Sequence, residues 1–347
     1  MDAQYCKKAI KYQIIRSKVK RNNLFLREKV CSEVPPIIYL FFVACGTNMG
    51  DHAIVRAEKE FMHKCLGDKV TIVEIQTRQT ESAIDYLKKN MRRQDVIVFS
   101  GGGYIGDEYI EVYNPLKKIL NTFKKNKTII FPQTIYFSGY HREKQFSKLC
   151  KNHEKLMIFV REKKSLEIFR KNGITAYLVP DIVLSQTPQI HNANEKILLC
   201  MRNDVEKNIS DSQVNQLYKV LQMYGSVTIT DTVESTMFSF EQRFAYLDKM
   251  LNFFSNSRLV VTDRIHGMIF SYLTNTPCLV FGNYNHKVES EYEWIKDCPN
   301  IYFMKSFDIE KINEKVSEMI DCFYSDNKGL HEKFVRLEEV VKSYYEQ

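Results

Sequence analysis

Short apolar runs rich in β-branched and aromatic residues recur along this chain with amphipathic stretches between them, and that alternation narrows the fold sharply. Strands buried on both faces read as continuous apolar runs, and parallel neighbours need a helical crossover, so the pattern predicts βα units around parallel sheets. The first runs are IIYLFFVAC, VTIVEI, DVIVFS, KTIIFPQ, KLMIFV and AYLVP. Helical patterns such as DHAIVRAEKEFMHKCL and KKSLEIFRKNGI lie between them, the latter stopped by Gly173. PDIVLSQTPQIHNANE reads as a polar linker, after which KILLCMR, SVTIT, RLVVTD, PCLVFG and NIYFM restart the alternation. A length of 347 residues exceeds what one core usually organises. The expectation is an α/β protein of two Rossmann-like doubly wound domains facing a cleft. A basic extension covers residues 1–34, a first domain 35–190 and a second 191–347, whose closing amphipathic helices are placed to pack back across the boundary.

Composition excludes several classes. With 44% hydrophobic and 27% charged residues the chain is globular. No stretch approaches the roughly 20 apolar residues of a membrane span, and the start lacks the apolar core of a secretory signal, so a cytoplasmic address is expected. Nine cysteines stand singly with no CxxC, which speaks against disulfides and zinc; no metal or cofactor is expected. The net charge is +8, and residues 7–29 hold many Lys and Arg against Glu28 alone, interleaved with Ile10, Tyr12, Ile14, Ile15 and Val19. This segment reads either as an interfacial helix on the inner, acidic face of a membrane or as a solvated basic extension. Nucleic acid is disfavoured, because no basic aromatic pattern continues beyond it.

In doubly wound sheets ligands sit outside the carboxyl ends of the strands, so the residues following each run are the informative ones. CGTNMGDHAI places Asn48, Asp51 and His52 at a helix start, where backbone N–H groups favour an anion by about 0.3–1 kcal/mol. Asp51 equally suits a cap. SGGGYIGDEY puts Gly101, Gly102, Gly103 and Gly106 ahead of Asp107; it lacks both GxGxxG and P-loop spacing, and suits close backbone approach by a ligand or the opposing domain. Arg161 follows a strand directly and offers a fork for carboxylate or phosphate, unless it lies exposed beside Glu162. Arg202 and Asp204 read as structural. In VVTDRIHG, Asp263 suits a helix cap, Arg264 an anion, and His266 proton transfer near neutral pH. His286 and Lys287 follow the next strand. Three cations and an imidazole around one cleft suit a small substrate with two or three negative charges.

GTNMGDHAI, VFSGGGYIGDEY, FPQTI, VREKKS, VPD, TDRIHGMIFSYLTNTPCLVFGN and Lys287 together resemble the polysaccharide pyruvyl transferase family, over roughly residues 37–297. The resemblance implies a fold similar to two-domain GT-B glycosyltransferases and transfer of a pyruvyl group from phosphoenolpyruvate to a sugar as a ketal, with release of phosphate. It implies that Arg264 and His266 line the donor site and that Arg161 and Lys287 are its other cations. Asn283 to His286 depart from the family's usual approach to that lysine. His266 is then expected to protonate the enol carbon, and Asp51, His52 and Asp107 are candidates for deprotonating the acceptor. The implied partners are phosphoenolpyruvate and a glycan or lipid-linked oligosaccharide. A GT-B glycosyltransferase using a nucleotide sugar is the competing expectation, and a non-catalytic glycan-binding member the third.

Overall fold

The computed structural model describes residues 35–68, 70–188, 196–204, 207–282, 287–320 and 329–346. The basic extension, with the membrane contact expected of it, and His286 lie outside these residues.

Two parallel sheets carry the chain. In the first, β1 (Ile37–Val43), β2 (Thr71–Gln76), β3 (Val96–Phe99), β4 (Gly102–Gly106), β5 (Lys127–Tyr136), β6 (Leu156–Val160) and β7 (Tyr177–Leu178) run in the order β2-β1-β3-β5-β6-β7, with β4 also paired to β5. In the second, β8 (Lys196–Cys200), β9 (Ser226–Thr230), β10 (Leu259–Thr262), β11 (Cys278–Phe281) and β12 (Ile301–Met304) run β12-β11-β10-β8-β9. Both orders reverse next to their first strand, which is the doubly wound pattern expected and fixes a switch point in each sheet. The helices are α1 (Met49–Leu66), α2 (Thr80–Asn90), α3 (Ile110–Thr122), α4 (Tyr140–Lys151), α5 (Lys163–Lys171), α6 (Asp211–Gln222), α7 (Arg243–Ser255), α8 (Ile265–Leu273), α9 (Lys287–Tyr292), α10 (Ile309–Met319) and α11 (Val335–Glu346). Gly173 takes φ 63° past α5, as its stop requires. Among the described residues no helix is long and apolar enough to cross a membrane.

β1 shows how the sequence builds two faces. Every residue is buried, with Ile38 and Leu40 in the core between the sheets and Ile37, Tyr39 and Phe41 in the outer core beneath α2 to α5. Phe42 breaks the alternation: its φ is 63°, and the pairing with β2 shifts between Phe41 and Val43. This bulge reverses which face Val43 meets and re-aims the following turn, at a backbone cost of about 1–3 kcal/mol. The core between the sheets is continuous across both domains, joining Met49 and Ala53 of α1 to Leu198, Met268 and Phe270 of the second domain.

Two features differ from the sequence reading. The glycine run does not end as a loop but continues into β4, where Ile105 is the only β-branched residue to announce a strand. The supposed polar linker is partly core: Ile182–Ser185 form a turn of 3₁₀ helix with Val183 and Leu184 fully buried, capped by Asp181, which accepts from Val183 N at 3.0 Å. The end of the chain packs back across the domain boundary: Phe334, in the turn before α11, lies against Phe61, and Lys127 Nζ donates to Tyr344 O at 2.8 Å.

Candidate active site

The site forms where the carboxyl ends of β6 and β10 approach each other. Arg161 is buried; its Nε donates to Thr134 Oγ1 at 2.8 Å and its Nη1 to Asp181 Oδ2 at 2.6 Å. It is therefore not the exposed arginine beside Glu162, whose carboxylate instead accepts from Ser165 Oγ at 2.5 Å. Asp181 is the hub. Its other neighbour is His266, whose Nε2 lies 3.8 Å from the same Oδ2 and is hydrogen-bonded by no group among the described residues. Burial lowers the imidazole pKa to about 4, with Arg161 and Arg264 adding to the effect and Asp181 opposing it. The resting histidine is neutral at pH 7, with an unclaimed nitrogen.

One segment of the second domain, α9 and the turn after it, closes the hub from behind. Asp181 N donates to Glu291 Oε1 at 2.8 Å, and Trp294 Nε1 donates to Arg161 O at 2.9 Å. Glu291, on α9, was not singled out from sequence because a glutamate in a charged stretch carries no signal of burial. It is 1% exposed, and desolvation with the nearby Asp181 pushes its carboxyl from 4.5 to about 8. A proton held more tightly in the fold than in the unfolded chain stabilises fully below the unfolded pKa and less as pH rises to the folded one. Glu291→Gln is accordingly expected to flatten the fall of melting temperature between about pH 5 and about pH 8. A decline as steep as that of the unsubstituted protein would mean Glu291 is ionised in the fold.

Arg264 is held rather than free. Its Nε and Nη2 each meet Asp231 at 2.7 Å, and its Nη1 meets Asp204 Oδ2 at 2.7 Å. Asp204 is shared with Arg202, whose Nε donates to Oδ1 at 2.8 Å, in keeping with the structural reading of that pair. Asp263 does not cap α8. It turns back to accept from Arg202 N at 2.8 Å, and its burial raises the carboxyl to about 6. Lys287 opens α9 and stands 3.7 Å from Glu108 Oε2, a contact that spans the two domains.

The amino end of α1 forms the third wall. Asn48, not Asp51, is the cap, accepting from Gly50 N at 3.1 Å. Hydrogen bonds Met49 N to Thr232 O (2.8 Å) and Glu234 N to Thr47 O (2.9 Å) tie this turn to the second domain. Asp51 keeps solvent exposure yet is walled by protein. Desolvation raises its carboxyl to about 6 against the opposing pull of Asn48, Arg161 and Arg264, which places it within electrostatic reach of both arginines. Gly50 faces the imidazole: a Cβ there would lie 2.2 Å from His266 Nδ1. Gly50→Ala is expected to cost about 1–3 kcal/mol and to displace the ring, measured by urea unfolding together with catalytic rate. An alanine protein equal to the original in both would show that the helix start does not set the ring.

The remaining candidates divide. Gly103 leaves room for the arginine, since a Cβ would meet Arg161 Nη2 at 3.3 Å, and Gly102 takes φ 121° beside it. The close approach that the glycines permit is thus made by the chain itself. Gly101 N donates to Glu58 of α1, whose fully buried carboxyl is raised to about 8 by desolvation and also accepts from Ser100 Oγ at 2.9 Å. His52 turns away, Nε2 donating to Gly46 O at 2.8 Å and its ring meeting Phe238 edge-on. Asp107 accepts from Ser138 N and Oγ at 2.7 Å each and from Arg142 Nη1 at 3.0 Å, bonds that outweigh its slight burial and hold it below the usual carboxylate range. It fastens the loop at the rim.

Two doubly wound domains meet at a buried arginine, an imidazole whose Nε2 has no hydrogen bond among the described residues, and several perturbed carboxyls, the features of a candidate active site, and the chain is a transferase. The family model for polysaccharide pyruvyl transferase matches residues 48–286, and the chain belongs to that family. It is 29% identical over 299 residues to General stress protein 30 of Bacillus subtilis, covering 83% of this chain and 87% of that one. It is 25% identical over 278 residues to Pyruvyl transferase 1 of Schizosaccharomyces pombe, covering 72% and 68%. An uncharacterised Klebsiella pneumoniae protein shares the fold at a TM-score of 0.52 and 20% identity, over 83% of this chain and 98% of that one.

Proposed function

We propose that this transferase moves the pyruvyl group of phosphoenolpyruvate onto two hydroxyls of a sugar, in a cell-surface polysaccharide or its lipid-linked precursor, forming a pyruvate ketal and releasing phosphate. The observation that carries the reading is the shared oxygen of Asp181, 2.6 Å from the Arg161 fork and 3.8 Å from His266 Nε2, at the carboxyl ends of both sheets. A compact donor with a carboxylate and a phosphate suits a cation and a proton carrier held this close together.

In this mechanism one sugar hydroxyl adds to C2 of the donor while C3 takes a proton and becomes a methyl group. A second hydroxyl then displaces phosphate from C2. Of the two hydroxyl protons, one balances the proton gained by C3 and the other leaves with phosphate. His266 is neutral in the resting site, so it has a proton to give only after the donor's negative charges raise its pKa. Asp51, exposed and with a carboxyl near pH 6, is the acceptor base. Arg264 reaches the donor by exchanging Asp204, whose side chain is 40% exposed, and keeping Asp231, which is 22% exposed.

The test is phosphate release from phosphoenolpyruvate with galactose-, N-acetylglucosamine- and N-acetylmannosamine-terminated acceptors. Acceptor-dependent release is expected. Saturable thermal protection by a nucleoside diphosphate, with none by phosphoenolpyruvate, would replace this reading with the nucleotide-sugar glycosyltransferase.

A further inference from the structure

Past residue 34 the chain is nearly balanced, with 41 Lys and Arg against 39 Asp and Glu, and one helical pair departs from that balance. Residues 140–171 hold ten Lys and Arg against four Glu, and α4 and α5 expose Lys144, Lys148, Lys151, Lys163, Lys164 and Lys171. Among the described residues none of these six is in an ion pair. Other exposed helices neutralise themselves: Lys315 pairs with Glu318, Arg336 with Glu339 and Lys342 with Glu338. Like charges one turn apart, as at Lys144 and Lys148, cost a helix about 0.2–0.5 kcal/mol per pair, so that pair takes stability from the helix rather than adding to it.

The two helices form one surface. Asn172 Nδ2 donates to Glu143 Oε1 at 2.7 Å, and the Tyr140 ring has Lys144 Nζ at 4.5 Å and Lys171 Nζ at 5.7 Å. Tyr140 is 57% exposed and Tyr136 50%. The surface begins at the rim of the site: α5 starts two residues after Arg161, and Arg142 is bonded to Asp107, next to Glu108 and its Lys287 contact.

We propose that the outer face of α4 and α5, with Tyr136 and Tyr140, binds a carboxylate-bearing polysaccharide and holds it beside the site. Exposed tyrosine rings give pyranose rings a flat apolar partner, and the lysines meet carboxylates spaced along a chain. The apolar sides of both helices, with Phe146, Leu166 and Phe169, are already buried in the outer core, and no aliphatic side chain of either helix is exposed. That composition suits a glycan better than a lipid surface, which insertion of apolar side chains would favour. The inference rests on the pyruvyl-transfer reading in one respect: each ketal leaves a carboxylate on the polymer, so product retained on this face would keep the next acceptor sugar near the donor.

Binding of the full chain to alginate, to dextran and to phosphatidylglycerol vesicles tests it without any donor. Alginate is expected to bind, more weakly as salt rises. A Lys144→Glu, Lys148→Glu, Lys171→Glu protein with an unaltered melting temperature is expected to bind it at least about tenfold more weakly at low ionic strength. Tyr140→Ala, which keeps every charge, is expected to weaken it too, while dextran stays unbound and vesicle binding is the same in all three proteins. Alginate binding unchanged by the triple substitution would overturn the proposal, and so would vesicle binding that the triple variant loses, which would make this face a membrane contact. A protein that binds alginate as described but releases no phosphate from phosphoenolpyruvate would keep this face and remove the reaction.

Discussion

His266→Ala is expected to slow acceptor-dependent phosphate release by about 10²–10⁴-fold while leaving donor binding measurable, the range typical of a positioned acid or base. Two features of the site lead to this split. The imidazole is buried and its Nε2 has no hydrogen-bond partner among the described residues, so removing it breaks no bond within the fold. Arg161 keeps its ties to Thr134 and Asp181 without the ring, so a cation for the donor survives. The single tryptophan reports on this point: Trp294 Nε1 donates to the Arg161 carbonyl oxygen, and its fluorescence is expected to respond to phosphoenolpyruvate in both proteins. A variant with full turnover would remove His266 from the chemistry. One that no longer binds the donor would make the ring part of the binding pocket instead.

How much of this was legible beforehand differs between strand and site. SVTIT was read as a strand with the bounds observed for β9, and the other apolar runs agree with β1, β2, β3, β5 to β8 and β10 to β12 to within a few residues, because a parallel strand buried on both faces announces itself by composition alone. β4 escaped, since glycines carry no periodicity. Ile182–Leu184 escaped for a different reason: prolines and polar neighbours masked three buried apolar residues that fasten the first sheet to the second domain. At the candidate site, strand-end position pointed to Arg161, Arg264 and His266, which the fold brings together. What it could not supply is partnership. That Arg264 is already held by two aspartates, that Asp51 leaves the cap to Asn48, and that Glu58 and Glu291 are buried acids all depend on residues far apart in the chain. Those same partners set the charge of the resting site, so the proton inventory on which the mechanism turns was the part least visible in the sequence.

The largest effect on stability is expected from Asp181. Its side chain is 1% exposed and that of Arg161 6%, and the two meet at 2.6 Å. Removing one member of a buried pair strands the other charge without solvent, at a cost of about 3–5 kcal/mol. Asp181→Ala should reach that range in urea unfolding, because it also strips the cap from Val183 N, a bond worth about 1 kcal/mol. Asp181→Asn keeps one acceptor oxygen, enough for the cap or for the guanidinium but not for both, so it should cost less than alanine while leaving one of the two bonds unmade. Yet it deletes the negative charge that raises the His266 pKa against the pull of burial and of the two arginines. The imidazole then holds its proton less readily, and whichever limb of the pH–rate profile reports protonated His266 should move to lower pH. Replacing both members by apolar residues, as in Arg161→Met with Asp181→Leu, should cost less than the two single changes added together, since neither charge is left behind. Strict additivity in that cycle, or a single change costing under about 1 kcal/mol, would show that water reaches the pair and screens it. The Asp181→Asn pH profile would then be the remaining measure of whether the aspartate acts on the histidine or only on the arginine.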